Sequence, residues 1–389
     1  MSTLSPTPGT LPATPANASE SRRYHRWVRR LGVADVVLGV LLLALVLAAG
    51  WSRNYRDFAF HLAGDRPALA LFYYTTILLL LTRVVSLGVD YALFLVEHRY
   101  HLSRQRLRGW MWDQAKGFLL VFVVSQALVQ VVYLLIRWMP HWWWVAGWLL
   151  FMLLTVVVAH VAPVVFFPIF FRFRALDDVD LTERLTRMGE KAGAKIRGVY
   201  EWTLSDRTRK ANAALIGLGK TRRIVLSDTL LATCTPDEIE AILAHEVGHH
   251  SSHHLLKAIC FQGAVAFFGF WSVKLAIRWA EFDWQHPLAQ IDFANLPLMI
   301  LVATAVSVAM VPVMNAYSRF NERRADVYAW KTQGTVEPFC SALEKLAAQN
   351  LSEQEPSRLV VWLFHSHPPI GSRLRAARAW QAARQQNPR

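Results

Sequence analysis

The run AILAHEVGHH holds His245, Glu246 and His249 in the pattern HExxH. On a helix, positions four apart lie one above the other at about 5–6 Å, so both imidazoles can reach one metal ion at roughly 2 Å. The carboxylate between them faces the same site and can serve as general base on a water molecule, the chemistry of zinc-assisted hydrolysis. Catalytic zinc takes three protein ligands and keeps a fourth position open, so a third ligand is required. Glu322, in NAYSRFNERRADVYAW (315–330), can supply it. Asp326 follows one turn later on the same helix and is placed to accept the free N–H of a ligating imidazole, fixing its tautomer. His250, His253 and His254 read as interfacial or structural residues, because three ligands suffice. Cys234, Cys260 and Cys340 lack CxxC or CxxH spacing, which supports neither a thiolate zinc site nor a disulfide framework.

The elements around these residues can be read from pattern. Thr235 as N-cap, Pro236 at the first helical position and Glu238 three residues after the cap form a capping box that starts the HExxH helix. Upstream, 178–193 reads as an amphipathic helix, 196–203 as a strand, and 211–231 as two strands joined at Gly219-Lys220. Glu322 is far from His249 in sequence, and two apolar runs, 258–279 and 293–315, separate them. A hairpin of two membrane spans returns the chain to its starting face, so topology brings Glu322 to the same membrane surface as the histidines.

Composition agrees with a membrane protein. Of 389 residues, 54% are apolar and 18% charged, against about a quarter charged in soluble domains. Apolar runs at 32–50, 67–95, 117–136, 145–171, 258–279 and 293–315 predict six spans, the second a tilted span with an interfacial extension. The stretch 1–21, rich in Pro, Thr, Ser and Ala, reads as a disordered tail and lacks the basic-then-apolar order of a signal peptide. The expected organisation is then four spans over 22–171, a protease segment at 172–256, a two-span hairpin at 257–315, a second protease segment at 316–380 and a tail at 381–389. The net charge of +14 comes from arginines that cluster on alternate loops: Arg22 to Arg30, Arg99 to Lys116, then Arg172 and Arg174. That pattern is a topology signal and a lipid-surface anchor rather than a nucleic-acid footprint, and it places the protease segments and both termini in the cytoplasm. Arg83 and Asp90, two turns apart within the second span, read as an ion pair or as the lining of a water-filled chamber.

HEVGHH, SRFNERRAD and HSHPPIGSR, in that order, resemble the HExxH, SRxxExxAD and THPPxxxR motifs of the M48 membrane metallopeptidases, specifically the Ste24-type CAAX prenyl proteases. The likeness continues in VEHRYHLSRQ, in Ala162-Pro163 and in KANAALIGLGKTRRIVLSDTLL, and covers roughly 90–380. The resemblance implies a mainly α, polytopic membrane protein: a ring or bundle of transmembrane helices around a chamber, with a cytoplasmic α+β zincin-like protease domain carrying a small sheet. It implies one zinc per chain on His245, His249 and Glu322, with Glu246 as base and proton shuttle and Asp326 behind the ligands. By matched position, His367 and Arg373 hold the substrate carbonyl or oxyanion. Asn212 and Ala213 lie on the edge strand that receives the substrate backbone, and Asn315 and Arg319 match further substrate-binding positions. The implied substrate is a peptide or protein that is prenylated or membrane-embedded, and the partner surface is the lipid bilayer, with no nucleic acid. The compact, arginine-biased chain reads as bacterial, hence of the inner membrane.

Three other readings share parts of the pattern. An HtpX-like quality-control protease would carry the same motifs and cleave misfolded membrane proteins. A catalytically silent membrane scaffold would keep the fold but has no need of an intact HExxH. A transporter would account for polar residues in spans, but no internal repeat or Gly/Pro-broken helix pair is present.

Overall fold

The computed structural model describes residues 15–386, apart from 65, 163–164, 218–220 and 285–291. The tail to residue 14, Pro163, the Gly219-Lys220 joint and the last three residues therefore lie outside the described residues. The elements run α1 (Pro15–Ala48), α2 (Trp51–Ala63), α3 (Pro67–Arg99), α4 (Leu107–Trp138), α5 (Trp143–Val161), α6 (Phe166–Phe170) and β1 (Phe173–Ala175). Then follow α7 (Val179–Lys191), β2 (Val199–Trp202), β3 (Ala213–Ile216), β4 (Arg223–Ser227), α8 (Asp228–Leu231), α9 (Pro236–Ser251) and α10 (His254–Trp284). The chain closes with α11 (Leu296–Gln333), α12 (Glu337–Gln349), α13 (Arg358–Phe364) and α14 (Ile370–Gln386).

Among the described residues six helices, α1, α3, α4, α5, α10 and α11, are long and apolar enough to cross a membrane. Each packs on two neighbours: α1 on α3, α3 on α4, α4 on α5, α5 on α10, α10 on α11, and α11 back on α1. That cyclic order is a closed ring. Only 6–17% of the most apolar stretch of each span is buried within the protein, as a wall one helix thick requires, with lipid on one face and a lumen on the other. Close approaches seal the wall. At Gly263 an added Cβ would meet the Met152 sulfur at 2.6 Å, and the Trp148 indole donates to the Gly263 carbonyl at 2.8 Å, fixing α5 on α10. Arg83 pairs with Asp90 at 2.8 Å and reaches Gln114 of α4 at 2.7 Å, so the ion pair also ties two spans together.

Several boundaries differ from the sequence reading. The first helix begins at Pro15 rather than after residue 21, and its polar segment from Ser21 to Arg29 docks on residues 351–353. Ser21 donates to the Leu351 carbonyl at 2.7 Å, His25 contacts the same oxygen at 3.0 Å, and Arg29 pairs with Glu353 at 2.7 Å. At the other terminus α14 continues to Gln386, past the expected tail boundary. The fourth apolar run does not span to 171: α5 stops at Val161, and the short helix α6 and strand β1 follow. The 13-residue α2 was not expected and is too short to span. Its Ser52 hydroxyl bonds Tyr74 and the Ala294 carbonyl, each at 2.6 Å, so α2 braces the end of the ring opposite the sheet.

At the other end, four strands form a sheet in the order β1-β2-β4-β3, with β2 and β4 parallel and the outer pairs antiparallel. Helix α9 is held between two cores. Ile239, Leu243 and Val247, spaced by four, pack with Leu185, Ile224 and Leu226 of the α7–sheet layer. Ala241 and Ala244 face Ala329, Trp330 and Phe339 of α11 and α12. Each large apolar side chain buried this way contributes about 1.5–3 kcal/mol. The start of α9 is locked by the capping box: Glu238 accepts from the Thr235 amide at 2.7 Å and also from Ser341 at 2.6 Å and Lys345 at 2.7 Å of α12. Replacing Glu238 by alanine removes all three bonds and should lower stability by about 2 kcal/mol. Replacing Thr235 by alanine should cost about 1 kcal/mol. Thermal melts of the two variants in the same detergent test that order.

Candidate active site

The site is made where α9 crosses α11. An added Cβ on Gly248 would lie 3.0 Å from the Tyr328 Cβ and 3.1 Å from both the Cα and the carbonyl oxygen of Ala325, so any side chain here would crowd the crossing. The crossing sets His245 and His249 of α9 against Glu322 of α11. The Nε2 atoms of the two histidines are 3.2 Å apart, and the Glu322 oxygens lie 3.3 Å from His245 Nε2 and 3.2 Å from His249 Nε2. A tetrahedral zinc at 2.0–2.1 Å from its ligands has ligand–ligand edges of about 3.3 Å, so these spacings suit the ion. Two imidazole lone pairs and a carboxylate converging in a buried place call for a cation. Glu322 is 5% exposed, and its Oε2 finds no well-aligned hydrogen-bond donor among the described residues.

Behind this cluster stands a second set of contacts. Asp326 Oδ1 is 2.8 Å from His245 Nδ1, which places the proton there and turns Nε2 to the cluster. Burial opposes a charge on the His245 ring, but Asp326 and Glu322 outweigh it and raise its pKa to about 9. Arg373 holds Asp326 by two bonds, Nη2 to Oδ1 at 2.6 Å and Nε to Oδ2 at 2.9 Å, and lies over the Phe339 ring. Burial disfavours its charge, yet Asp326 keeps its pKa above the ordinary value. The nitrogens of Arg373 that bond Asp326 lie on the Nδ1 side of His245, with Nη2 also 3.4 Å from that Nδ1.

His367 is exposed, with Nε2 3.3 Å from Glu322 Oε1 and Nδ1 2.9 Å from the Ser366 hydroxyl. The loop that carries it is held by the two other residues expected to touch substrate. Asn315 donates to the Leu363 carbonyl at 2.8 Å, and Arg319 to those of Val361 at 2.9 Å and His365 at 2.6 Å. Both side chains satisfy carbonyls at the end of α13, so their contacts are with the protein's own backbone. Glu246 is half-buried and near enough to Arg373 to act on it electrostatically. His250 turns away to Arg222 at 3.2 Å, and exposed His253 stands in the turn after α9. His254, by contrast, is buried with Nδ1 3.0 Å from His249 Nδ1, a contact that spacing along one helix does not predict.

Strand β3 is an edge of the sheet and lies against α9. Asn212 precedes it with its amide bonded to the Ser227 hydroxyl and its carbonyl to the Ser227 amide, each at 2.9 Å. In antiparallel pairing successive residues alternate sides, so the main-chain groups of Ala213 and Leu215 are presented at the open edge. The exposed Asn212 side chain borders a pocket of about 470 Å³ shared with Phe171, Trp202, Arg207 and Lys210.

Comparison with known proteins agrees with this architecture. Residues 175–381 match the model of peptidase family M48, and residues 9–172 match that of the CAAX prenyl protease N-terminal domain, described as five membrane helices. The chain belongs to peptidase family M48 and is a zinc metalloprotease of the multi-pass membrane type. It is 28% identical to the uncharacterized metalloprotease YhfN of Bacillus subtilis, over 93% of this chain and 86% of that one. It is 29% identical to a CAAX prenyl protease 1 homolog of Arabidopsis thaliana, over 74% of this chain and 68% of that protein. The fold matches a crystal structure of S. mikatae Ste24p with a TM-score of 0.82 at 22% identity, covering 95% of this chain and 92% of that one.

Two outcomes follow from the geometry. Gly248→Val forces α9 from α11 and should lower metal affinity by about tenfold or more even though no ligand changes, as titration with a competing chelator would show. Because metal must displace the His245 proton, held with a pKa of about 9, apparent zinc affinity of the metal-free protein should rise about tenfold per unit between pH 6 and 8. A flat affinity over that interval would contradict the Asp326–His245 arrangement.

Proposed function

We propose that the chain is a membrane zinc metalloendopeptidase that hydrolyses peptide bonds in membrane-associated or lipid-modified proteins of the CAAX type. The observation that carries this reading is the convergence of His245, His249 and Glu322, all ligand atoms within 4.8 Å of one another, beside an open strand edge at the mouth of a ring of spans. These three residues would hold one zinc per chain. When bound, zinc supplies Lewis-acid polarisation of the scissile carbonyl and acidifies water. Glu246 takes a proton from the attacking water and delivers it to the leaving amine. His367, with Nδ1 accepting from Ser366, can carry its proton on Nε2 and donate it to the developing oxyanion. Asp326 keeps His245 in the ligating tautomer, and Arg373 keeps Asp326 in place.

The substrate backbone is laid along β3, where Ala213 and Leu215 offer unpaired amides and carbonyls, and Asn212 flanks its entry. Apolar substrate groups enter the ring, whose wall holds an apolar cavity of about 350 Å³ lined by Val132, Trp143, Phe151, Phe270 and Met299. The arginine clusters at one set of loops support a cytoplasmic protease domain and cytoplasmic termini, with the ring in a bacterial inner membrane. Kinship with proteins named CAAX prenyl proteases supports the substrate class.

Glu246→Gln should retain zinc and lower kcat by about 10³-fold or more, whereas His367→Ala should lower kcat by about 10²- to 10³-fold. Mass spectrometry of products from purified protein, given one peptide in farnesylated and unmodified forms, tests the substrate class. The farnesylated form should have a kcat/KM at least about tenfold higher, from apolar burial in the ring. Equal rates would remove the lipid requirement.

A further inference from the structure

His254 is 4% exposed, yet no element of the proposed catalytic set uses it. Its Nδ1 lies 3.0 Å from Nδ1 of His249, and the two rings meet edge to face with centroids 5.0 Å apart. In an unbroken helix residues five apart point about 140° away from each other and cannot touch. The contact exists because the chain breaks between α9 and α10 at His253, whose φ of 53° puts a side-chain-bearing residue in the left-handed region. That turn folds His254 back onto His249.

The proton bookkeeping has one solution if His249 is to offer a lone pair at Nε2. Its proton must sit on Nδ1, so Nδ1 of His254 must be the acceptor, and the proton of His254 is then on Nε2. That Nε2 is buried and has no hydrogen-bond partner among the described residues. A buried N–H without a partner is unfavourable, and its presence fits a ring placed for what its other nitrogen does. His245 has Asp326 in the corresponding place. We propose that His254 is the positioning residue for His249: a neutral imidazole whose Nδ1 accepts the His249 Nδ1–H and holds the ring in the metal-ligating tautomer. This rests on the zinc reading above.

The test uses the full-length protein in detergent, stripped and reloaded, with zinc affinity read by chelator competition and ligand geometry by the visible spectrum of the cobalt form. His254→Leu should weaken zinc binding by about 10- to 100-fold and alter the cobalt bands. His254→Asn, whose amide oxygen can lie near the lost Nδ1, should recover affinity to within about threefold of the parent. His254→Gln, whose amide reaches the Nε2 position instead, should not. Leu and parent proteins with equal zinc affinity, or Asn no better than Leu, would overturn the proposal. Circular dichroism with equal helix content in Leu and Asn variants separates a local effect from misfolding. His249→Ala is the control for the underlying reading: it should lose zinc outright. Retention of zinc by that variant defeats the ligand assignment itself, whereas a flat His254 series beside a zinc-free His249→Ala defeats only the positioning role.

Discussion

The close crossing of α9 and α11 at Gly248 and Ala325 is the contact on which the rest of the site depends. One helix is about to enter the membrane and the other has just left it, and their ligands lie on opposite sides of a two-span hairpin in the sequence. A methyl group on residue 248 would fall within 3.1 Å of the Ala325 backbone, so the absence of a side chain lets the helices lie this close without crowding. With that separation, Glu322 meets both imidazoles at 3.2–3.3 Å. The same crossing brings Asp326 to His245 and allows Arg373 to reach Asp326 from α14.

Rigidity at this crossing comes from both sides. On the sheet side, Ile239, Leu243 and Val247 bury one face of α9, and the Glu238 capping network ties its start to α12. On the membrane side, α10 and α11 pack along their length and are part of a closed ring. The ring therefore acts as a frame for Glu322, and in the proposed function it also receives substrate. Its thin wall, with most apolar surface left facing lipid or lumen, accounts for a composition that is too apolar for a soluble enzyme of this size.

Legibility in the sequence followed the range of the interactions. HExxH, the capping box and the alternating strands are local, so His245, His249, Thr235, Glu238 and the β3–β4 pair could be read directly. Glu322 and Asp326 could be read because two spans must return the chain to one face, a constraint of topology rather than of contact. What escaped depends on distant partners. The docking of Ser21 and Arg29 of α1 involves Leu351 and Glu353, and α2 bonds Ala294. The contacts that Asn315, Arg319 and Arg373 make with Leu363, His365 and Asp326 are likewise long-range and were not legible in the sequence. His254 was set aside because helical spacing puts it out of reach, and the turn at His253 is what reverses that.

The central claim is that one metal ion is held jointly by a helix entering the membrane and a helix leaving it. Anomalous diffraction at the zinc edge from crystals of the full-length protein tests it most directly. The account predicts a single strong peak about 2.0–2.2 Å from His245 Nε2, His249 Nε2 and a Glu322 oxygen. A peak bound by the histidines of α9 with Glu322 turned away, or centred on His250 or His253, would contradict it.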